Sequence, residues 1–266
     1  MKTITTMFFM ALAAVAGAQT ISIKGSDTLG AKLVPQLAES FKAAGNKSVK
    51  FEIAAEGSST AFPALANGTA QIGMSSRKIK EEERTQCKTK GVYLKEHPVC
   101  HDLMVVLVNK NCLVSNLTKA QVAKIFTGQI KDWSEVGGTP GAISIYTRNT
   151  SSGTYKDWQK LAMGGRDYPS SSLKMAGNEQ IAQEVAKNKN GIGYVGLAYA
   201  KASGTKAVTI DGVAPTPANK KKYVYARLCY LYAPDKPTEE AQAFLDFVKS
   251  SAGQSIIEKT GFIPNN

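Results

Sequence analysis

Arg148-Asn149-Thr150-Ser151-Ser152-Gly153-Thr154 sets a fixed cation four residues ahead of two small hydroxyls that flank a glycine. A helix is expected to follow from Tyr155 to Met163. The first turn of a helix carries unpaired N–H groups and a partial positive charge. Gly153 lets the backbone come close to a ligand. Hydroxyls, bare amides and a guanidinium converging on one point suit a small oxyanion. The same residues would also serve as an ordinary Ser/Thr helix cap beside a surface arginine, so this segment does not decide alone.

Three further segments share its chemistry: Gly25-Ser26-Asp27-Thr28-Leu29, Glu56-Gly57-Ser58-Ser59-Thr60 and Gly73-Met74-Ser75-Ser76-Arg77. Each puts small hydroxyl residues beside glycine where a strand is expected to give way to a helix or loop. One such joint is a cap; four in one chain argue for a shared ligand. Other chemistries are poorly served. Gly25 to Lys32 resembles a phosphate loop, but Ala31 stands between the second glycine and the lysine, and Leu33 follows where Ser or Thr is needed. A serine nucleophile needs a base, and the only two histidines, His97 and His101, share one short segment without a Gly-x-Ser-x-Gly elbow. His97-Pro98-Val99-Cys100-His101 has metal-ligand types but no second ligand cluster elsewhere. No pair of acids is marked out for glycoside cleavage.

The elements that must position these joints alternate. Strands are expected at Ile21–Lys24, Val49–Ala54, Gln71–Met74, Leu103–Val108, Ile143–Thr147, Gly191–Tyr194 and Val224–Tyr232. Helices are expected at Lys32–Ala44, Ser58–Asn67, Lys80–Lys88, Lys119–Phe126, Gln180–Lys189, Thr238–Ser250 and Ala252–Lys259. Leu33, Leu37 and Phe41 recur at helical spacing in the first of these, whereas Leu103 to Val108 is a continuous apolar run suited to a strand buried on both faces. Alternation of this kind argues for an α/β fold with mostly parallel sheets, whose ligands bind outside the carboxyl ends of the strands.

The first eighteen residues read as a secretory signal peptide: Lys2, the apolar run Met7 to Val15, then Ala16-Gly17-Ala18 before cleavage at Gln19. No cysteine near that point offers a lipid anchor. A soluble, exported product is expected, in a periplasm or secreted. The chain is 43% hydrophobic and 20% charged, enough for a sizeable core and against disorder. Its net charge of +12 comes from dispersed basic residues with Lys220-Lys221-Lys222 as the one tight run, which favours a field for small anions over nucleic acid. Cys87, Cys100, Cys112 and Cys229 are an even number in an exported chain, so disulfides are expected. Three connectivities are open. Cys87–Cys100 with Cys112–Cys229 is preferred, because the first would staple a short loop.

The four joints, taken with Ile125-Phe126-Thr127-Gly128, Trp133 to Gly138, Gly191 to Leu197 and Gly253-Gln254 to Gly261-Phe262-Ile263-Pro264, give the chain a family likeness. In order and spacing it resembles the periplasmic phosphate-binding proteins of phosphate ABC transporters, over essentially all of the exported part. The resemblance implies a two-lobed, type II periplasmic-binding-protein fold with the ligand cleft between lobes. Residues 19–101 with 229–266 would form lobe I and residues 102–228 lobe II, with crossings near His101–Leu103 and Arg227–Leu231. It implies capture of inorganic phosphate by a monomer, delivery to the membrane permease of an ABC transporter, no cofactor, no metal and no catalysis. The implied ligand set is Ser26, Thr28, Leu29 through its amide, Ser58, Ser76, Asp102, Arg148, Ser152, Gly153 and Thr154. Many members carry an aspartate where this chain has Ser76, and that carboxylate accepts the proton that phosphate carries and sulfate lacks. Asp102, with Asp27 second, is the expected replacement, and Arg77 is expected to pair with one of them. Two other readings stay open: a binding protein or sensor for sulfate, molybdate or arsenate, and an exported phosphatase using the same cradle.

Overall fold

A computed structural model describes residues 19–265; the expected signal peptide lies outside the described residues. The strands are β1 (Thr20–Gly25), β2 (Lys50–Ala54), β3 (Ile72–Ser75), β4 (Leu94–Asn109), β5 (Asn116–Leu117), β6 (Ser144–Arg148), β7 (Leu173–Met175), β8 (Gly191–Gly196), β9 (Thr205–Ala207), β10 (Thr209–Ile210), β11 (Ala226–Pro234) and β12 (Ile263–Pro264). The helices are α1 (Asp27–Gly30), α2 (Leu33–Ala43), α3 (Ser58–Ala66), α4 (Glu81–Thr89), α5 (Lys119–Phe126), α6 (Gly153–Leu161), α7 (Asn178–Lys187), α8 (Glu239–Lys249) and α9 (Ser251–Lys259). None of these helices is long and apolar enough to cross a membrane.

The strands run in the order β2-β1-β3-β11-β4-β8-β6-β7, with β9 and β12 also on β4. β4 belongs to two half-sheets. Its residues Leu94 to Leu103 pair with β11, while Met104 to Val108 pair with β8. β4 alone pairs in both half-sheets, and β11, which begins at Ala226, brings the chain back into the first. The sheet is mixed rather than mostly parallel. β1 is parallel to β2 and β3, and β6 to β7 and β8, but β11 and β4 run antiparallel to the strands they join. β4 leaves the first half-sheet and β11 returns to it, so the two run in opposite senses, which imposes this. β4 starts nine residues before its expected first residue, because Lys95-Glu96-His97-Pro98 hides an extended segment behind polar residues and a proline.

Local chemistry accounts for the helices. Thr118, Thr238 and Ser250 cap α5, α8 and α9 by accepting backbone N–H bonds, and Gln121 completes a capping box on α5. α2 buries Leu33, Val34, Leu37, Ala38 and Phe41. Phe41 meets Phe51, Phe244 and Phe247 edge-on at 5.5–6.1 Å, which fastens the C-terminal helix α8 to the N-terminal lobe. In the second lobe Trp158 stacks on Tyr194 at 4.5 Å and meets Phe126 edge-on at 5.0 Å. Each half of the molecule thus has an aromatic centre in its core.

The expected disulfides are not formed, and all four thiols are free. Cys100 lies opposite Cys229 on β4 and β11, whereas Cys87 packs beside Phe62 with its thiol toward that residue's carbonyl. Closeness in sequence misled, because the Cys87 helix and the Cys100 strand face different neighbours.

Candidate anion-binding site

The Arg148 segment folds as its spacing requires. β6 ends at Arg148 and α6 begins at Gly153, with Ser152 as N-cap accepting from the Tyr155 N–H at 3.2 Å. The Gly153 and Thr154 amides therefore head the helix with no intrahelical acceptor. Arg148 is 1% exposed. Its Nε and Nη2 both donate to the Ala176 carbonyl, at 3.1 and 2.8 Å. Its backbone N–H leans on the Tyr194 hydroxyl, which Thr147 and Tyr168 also hold. Nη1 is left with no hydrogen bond, although Asp27 Oδ2 lies 3.1 Å away as an ion pair. Burial lowers the guanidinium pKa, and the Asp27 charge offsets part of that. A buried N–H without a hydrogen bond costs about 1–3 kcal/mol, more when charged, and the Asp27 carboxylate is the charge that answers Nη1 here.

The first lobe meets this helix start with hydroxyls. Thr28 on α1 is 2.9 Å from Thr154, oxygen to oxygen. Ser58, the first residue of α3, lies 3.2 Å from the Ser76 hydroxyl and accepts from the Ser76 N–H at 3.0 Å. Ser76 in turn is 3.4 Å from Thr154. Thr28, Ser58, Ser76 and Thr154 are each buried to 1% exposure or less. Each hydroxyl has a proton to donate and can turn it to an oxyanion. Gly153 is required here by contact: a Cβ would stand 2.3 Å from Ser58 Oγ and 2.7 Å from Ser76 Oγ. Gly57, at φ +131°, holds the opposing turn against Ser151 in a conformation that side chains resist.

Asp102 lies one group behind that cluster, fully buried. Its Oδ2 accepts from Arg227 Nε and Nη2 at 3.1 and 2.8 Å, and its Oδ1 from the Leu197 N–H at 3.0 Å. Arg227 Nη2 also donates to Thr154 Oγ1 at 2.9 Å, and Nη1 reaches Asp157 at 3.5 Å. Burial opposes the Arg227 charge, but Asp102, then Cys229 and Asp157, more than offset it and raise its pKa. Burial works on Asp157 too, raising its carboxyl pKa despite Arg227.

Most expected residues thus gather at one place: Thr28, Ser58, Ser76, Arg148, Ser152, Gly153 and Thr154, with Asp102 behind. Leu29 puts its side chain in the core, leaving only its amide for the site. Ser26 precedes α1 but makes no side-chain cap bond. Arg77 pairs with neither Asp102 nor Asp27; it binds Glu83 through two nitrogens at 2.6 and 2.8 Å. Glu83 is one turn into α4 and comes within reach because the chain doubles back after Ser76. Sequence reading missed Arg227 and Asn178. A charge inside the apolar run of β11 was the available signal for the first. Asn178, at the start of α7 and fully buried, gave none.

Comparison with known proteins now adds to this geometry. A model of the PBP superfamily domain matches residues 13–252. The chain is 34% identical to the phosphate-binding protein PstS of Pseudomonas aeruginosa, over 92% of this chain and 82% of that one. The chain belongs to the PstS family of the PBP superfamily. Among solved structures, a putative phosphate ABC transporter substrate-binding protein from Clostridium perfringens, with bound phosphate, matches at a TM-score of 0.86. It is 33% identical, over 93% of this chain and 100% of that one. An ABC-type phosphate transport receptor from Vibrio cholerae matches at 0.75 with 27% identity, covering 91% and 99%. As a PstS-family chain, this protein is a solute-binding protein.

Proposed function

We infer that this protein captures inorganic phosphate between its lobes and delivers it to the membrane permease of an ABC transporter, from a periplasm or the cell exterior. The observation that carries this is the buried cluster of Thr28, Ser58, Ser76 and Thr154 hydroxyls at the start of α6, together with the buried Arg148 guanidinium, whose Nη1 makes no hydrogen bond and is ion-paired to Asp27. The starts of α1, α3 and α6 add free amides and partial positive charge at the same point. In our reading Ser152, Gly153 and the Leu29 amide complete the cage. In our reading residues 19–101 with 229–266 form lobe I and residues 102–228 form lobe II; the change of partner along β4 at Leu103/Met104, from β11 to β8, supports the first of these divisions. The protein works by binding alone, with enclosure of a desolvated anion as the whole task.

Asp102 is our assignment for the acceptor of the phosphate proton. A carboxylate offers about four lone-pair sites, and three are taken here by Arg227 and Leu197, leaving one. Asp27 is the weaker choice: its Oδ2 is engaged by Asn178 and Arg148, and its Oδ1 faces Gly177. The Ser76 hydroxyl, in place of a carboxylate, keeps a second reading alive, in which the cleft also accepts sulfate or another fully ionised oxyanion. Calorimetric titration of ligand-stripped protein separates them. Tight one-to-one phosphate binding that excess sulfate does not disturb is expected. No heat with phosphate, or equal competition by sulfate, overturns the assignment.

A further inference from the structure

We propose that Asp27 is a positioning residue that fastens the cleft shut by capping helix α7 from the opposite lobe. This rests on the two-lobed phosphate reading but concerns closure rather than the anion itself.

α7 has no cap of its own. Its N-cap position is Gly177, which makes no side-chain bond. The Asn178 amide that heads the helix instead donates to Asp27 Oδ2 at 3.1 Å, and the Asn178 side chain adds Nδ2 to the same oxygen at 2.7 Å. Asp27 sits on α1, after β1 of the first half-sheet; α7 packs on β8 of the second. A carboxylate at a helix N-terminus answers both the free amides and the helix dipole. Here it comes from across the cleft, so the cap exists only while the lobes touch. The glycine points the same way: a Cβ at Gly177 would stand 2.9 Å from Asp27 Oδ1, so a side chain there would push the carboxylate out.

The same flank carries more side-chain contacts between lobes. The Tyr199 hydroxyl donates to the Thr28 carbonyl at 2.9 Å. Lys32 Nζ donates to the Ala198 carbonyl at 3.3 Å and lies 4.4 Å above the Tyr199 ring. Asp27 is the most enclosed charge of this group and the one that also touches Arg148. It therefore links closure to the orientation of the ligand-facing guanidinium. The ligand-free protein exchanges between a capped form and an open form at comparable populations; phosphate enters the open one, and the cap must break before phosphate leaves. Asp27 should set the off-rate and leave the on-rate nearly alone.

The test compares wild type with Asp27→Ala, Asp27→Asn and Asp27→Ala/Asn178→Ala. Phosphate on- and off-rates are read by stopped flow with Trp158 emission, and ligand-free dimensions by small-angle X-ray scattering. Asp27→Ala is expected to raise the off-rate about tenfold, in keeping with loss of a charged cap, with the on-rate changed less than twofold. Asp27→Asn should fall between, and it serves alone if the alanine variant does not fold. Adding Asn178→Ala should raise the off-rate little further, because the cap is already gone. Ligand-free Asp27→Ala should have a larger radius of gyration than wild type. An unchanged off-rate, or equal changes in both rates, overturns the proposal. If wild type ignores phosphate, the phosphate reading fails instead, and the scattering comparison still decides the cap: equal radii refute it, and a wider variant sustains it.

Discussion

Two buried arginines, Arg148 and Arg227, differ in how completely they are paired. Arg227, near the start of β11, spends Nε and Nη2 on Asp102, shares Nη2 with Thr154 and turns Nη1 to Asp157. Its neighbours raise its pKa. Arg148, at the end of β6, rests two nitrogens on a carbonyl and leaves Nη1 without a hydrogen bond; burial lowers its pKa. A fully answered buried charge holds a structure together, because removing either partner strands the other. An incompletely answered one holds a place for a ligand. On the proposed function, that difference separates the arginine that holds the structure together from the one that meets the anion.

The comparison breaks most visibly at Arg227. Arg227→Ala leaves Asp102 fully buried with the Leu197 N–H but no cation opposite it, at a cost of about 3–5 kcal/mol in stability. Scanning calorimetry of the ligand-free protein should show the melting temperature falling by roughly 10 °C; a shift within 2 °C or so would erase the distinction. Arg148→Ala comes next and acts on the other quantity. Ligand-free melting should move much less, while phosphate affinity falls about a hundredfold or more from loss of charged hydrogen bonds. Undiminished titration heat in that variant would remove Arg148 from the site. Asp102→Asn sharpens the contrast with the smallest effect. It keeps the shape of the side chain but turns one oxygen into a donor, so phosphate should weaken about tenfold and sulfate should begin to compete. Selectivity unaltered in competition titrations would move the proton-acceptor role to Asp27.

The site was legible in the sequence to the extent that its members are local. Arg148 with Ser152, Gly153 and Thr154 reads directly, because a strand end, a cap and a helix start are set by neighbours in the chain. Thr28, Ser58 and Ser76 were found the same way, each beside its own glycine. The apolar stripe of α2 was also readable from spacing, whereas the aromatic centres join rings far apart in sequence, such as Phe41 and Phe244. The polar first part of β4 was not, since its pairing with β11 comes from strand neighbours far away in sequence.

What the sequence determined by itself is the inventory of pieces: alternating strands and helices, four glycine-and-hydroxyl joints, and a cation before one of them. Capping and periodicity are short-range effects, and the chain carries them wherever it folds. Which charges pair was decided only in three dimensions. Arg77 chose Glu83, Arg227 chose Asp102, Asp27 reached Asn178 across the cleft, and Cys100 came to face Cys229. Coulomb and hydrogen-bond energies fall off over a few ångströms, so the partner is whichever group packing brings close, and no spacing along the chain encodes that.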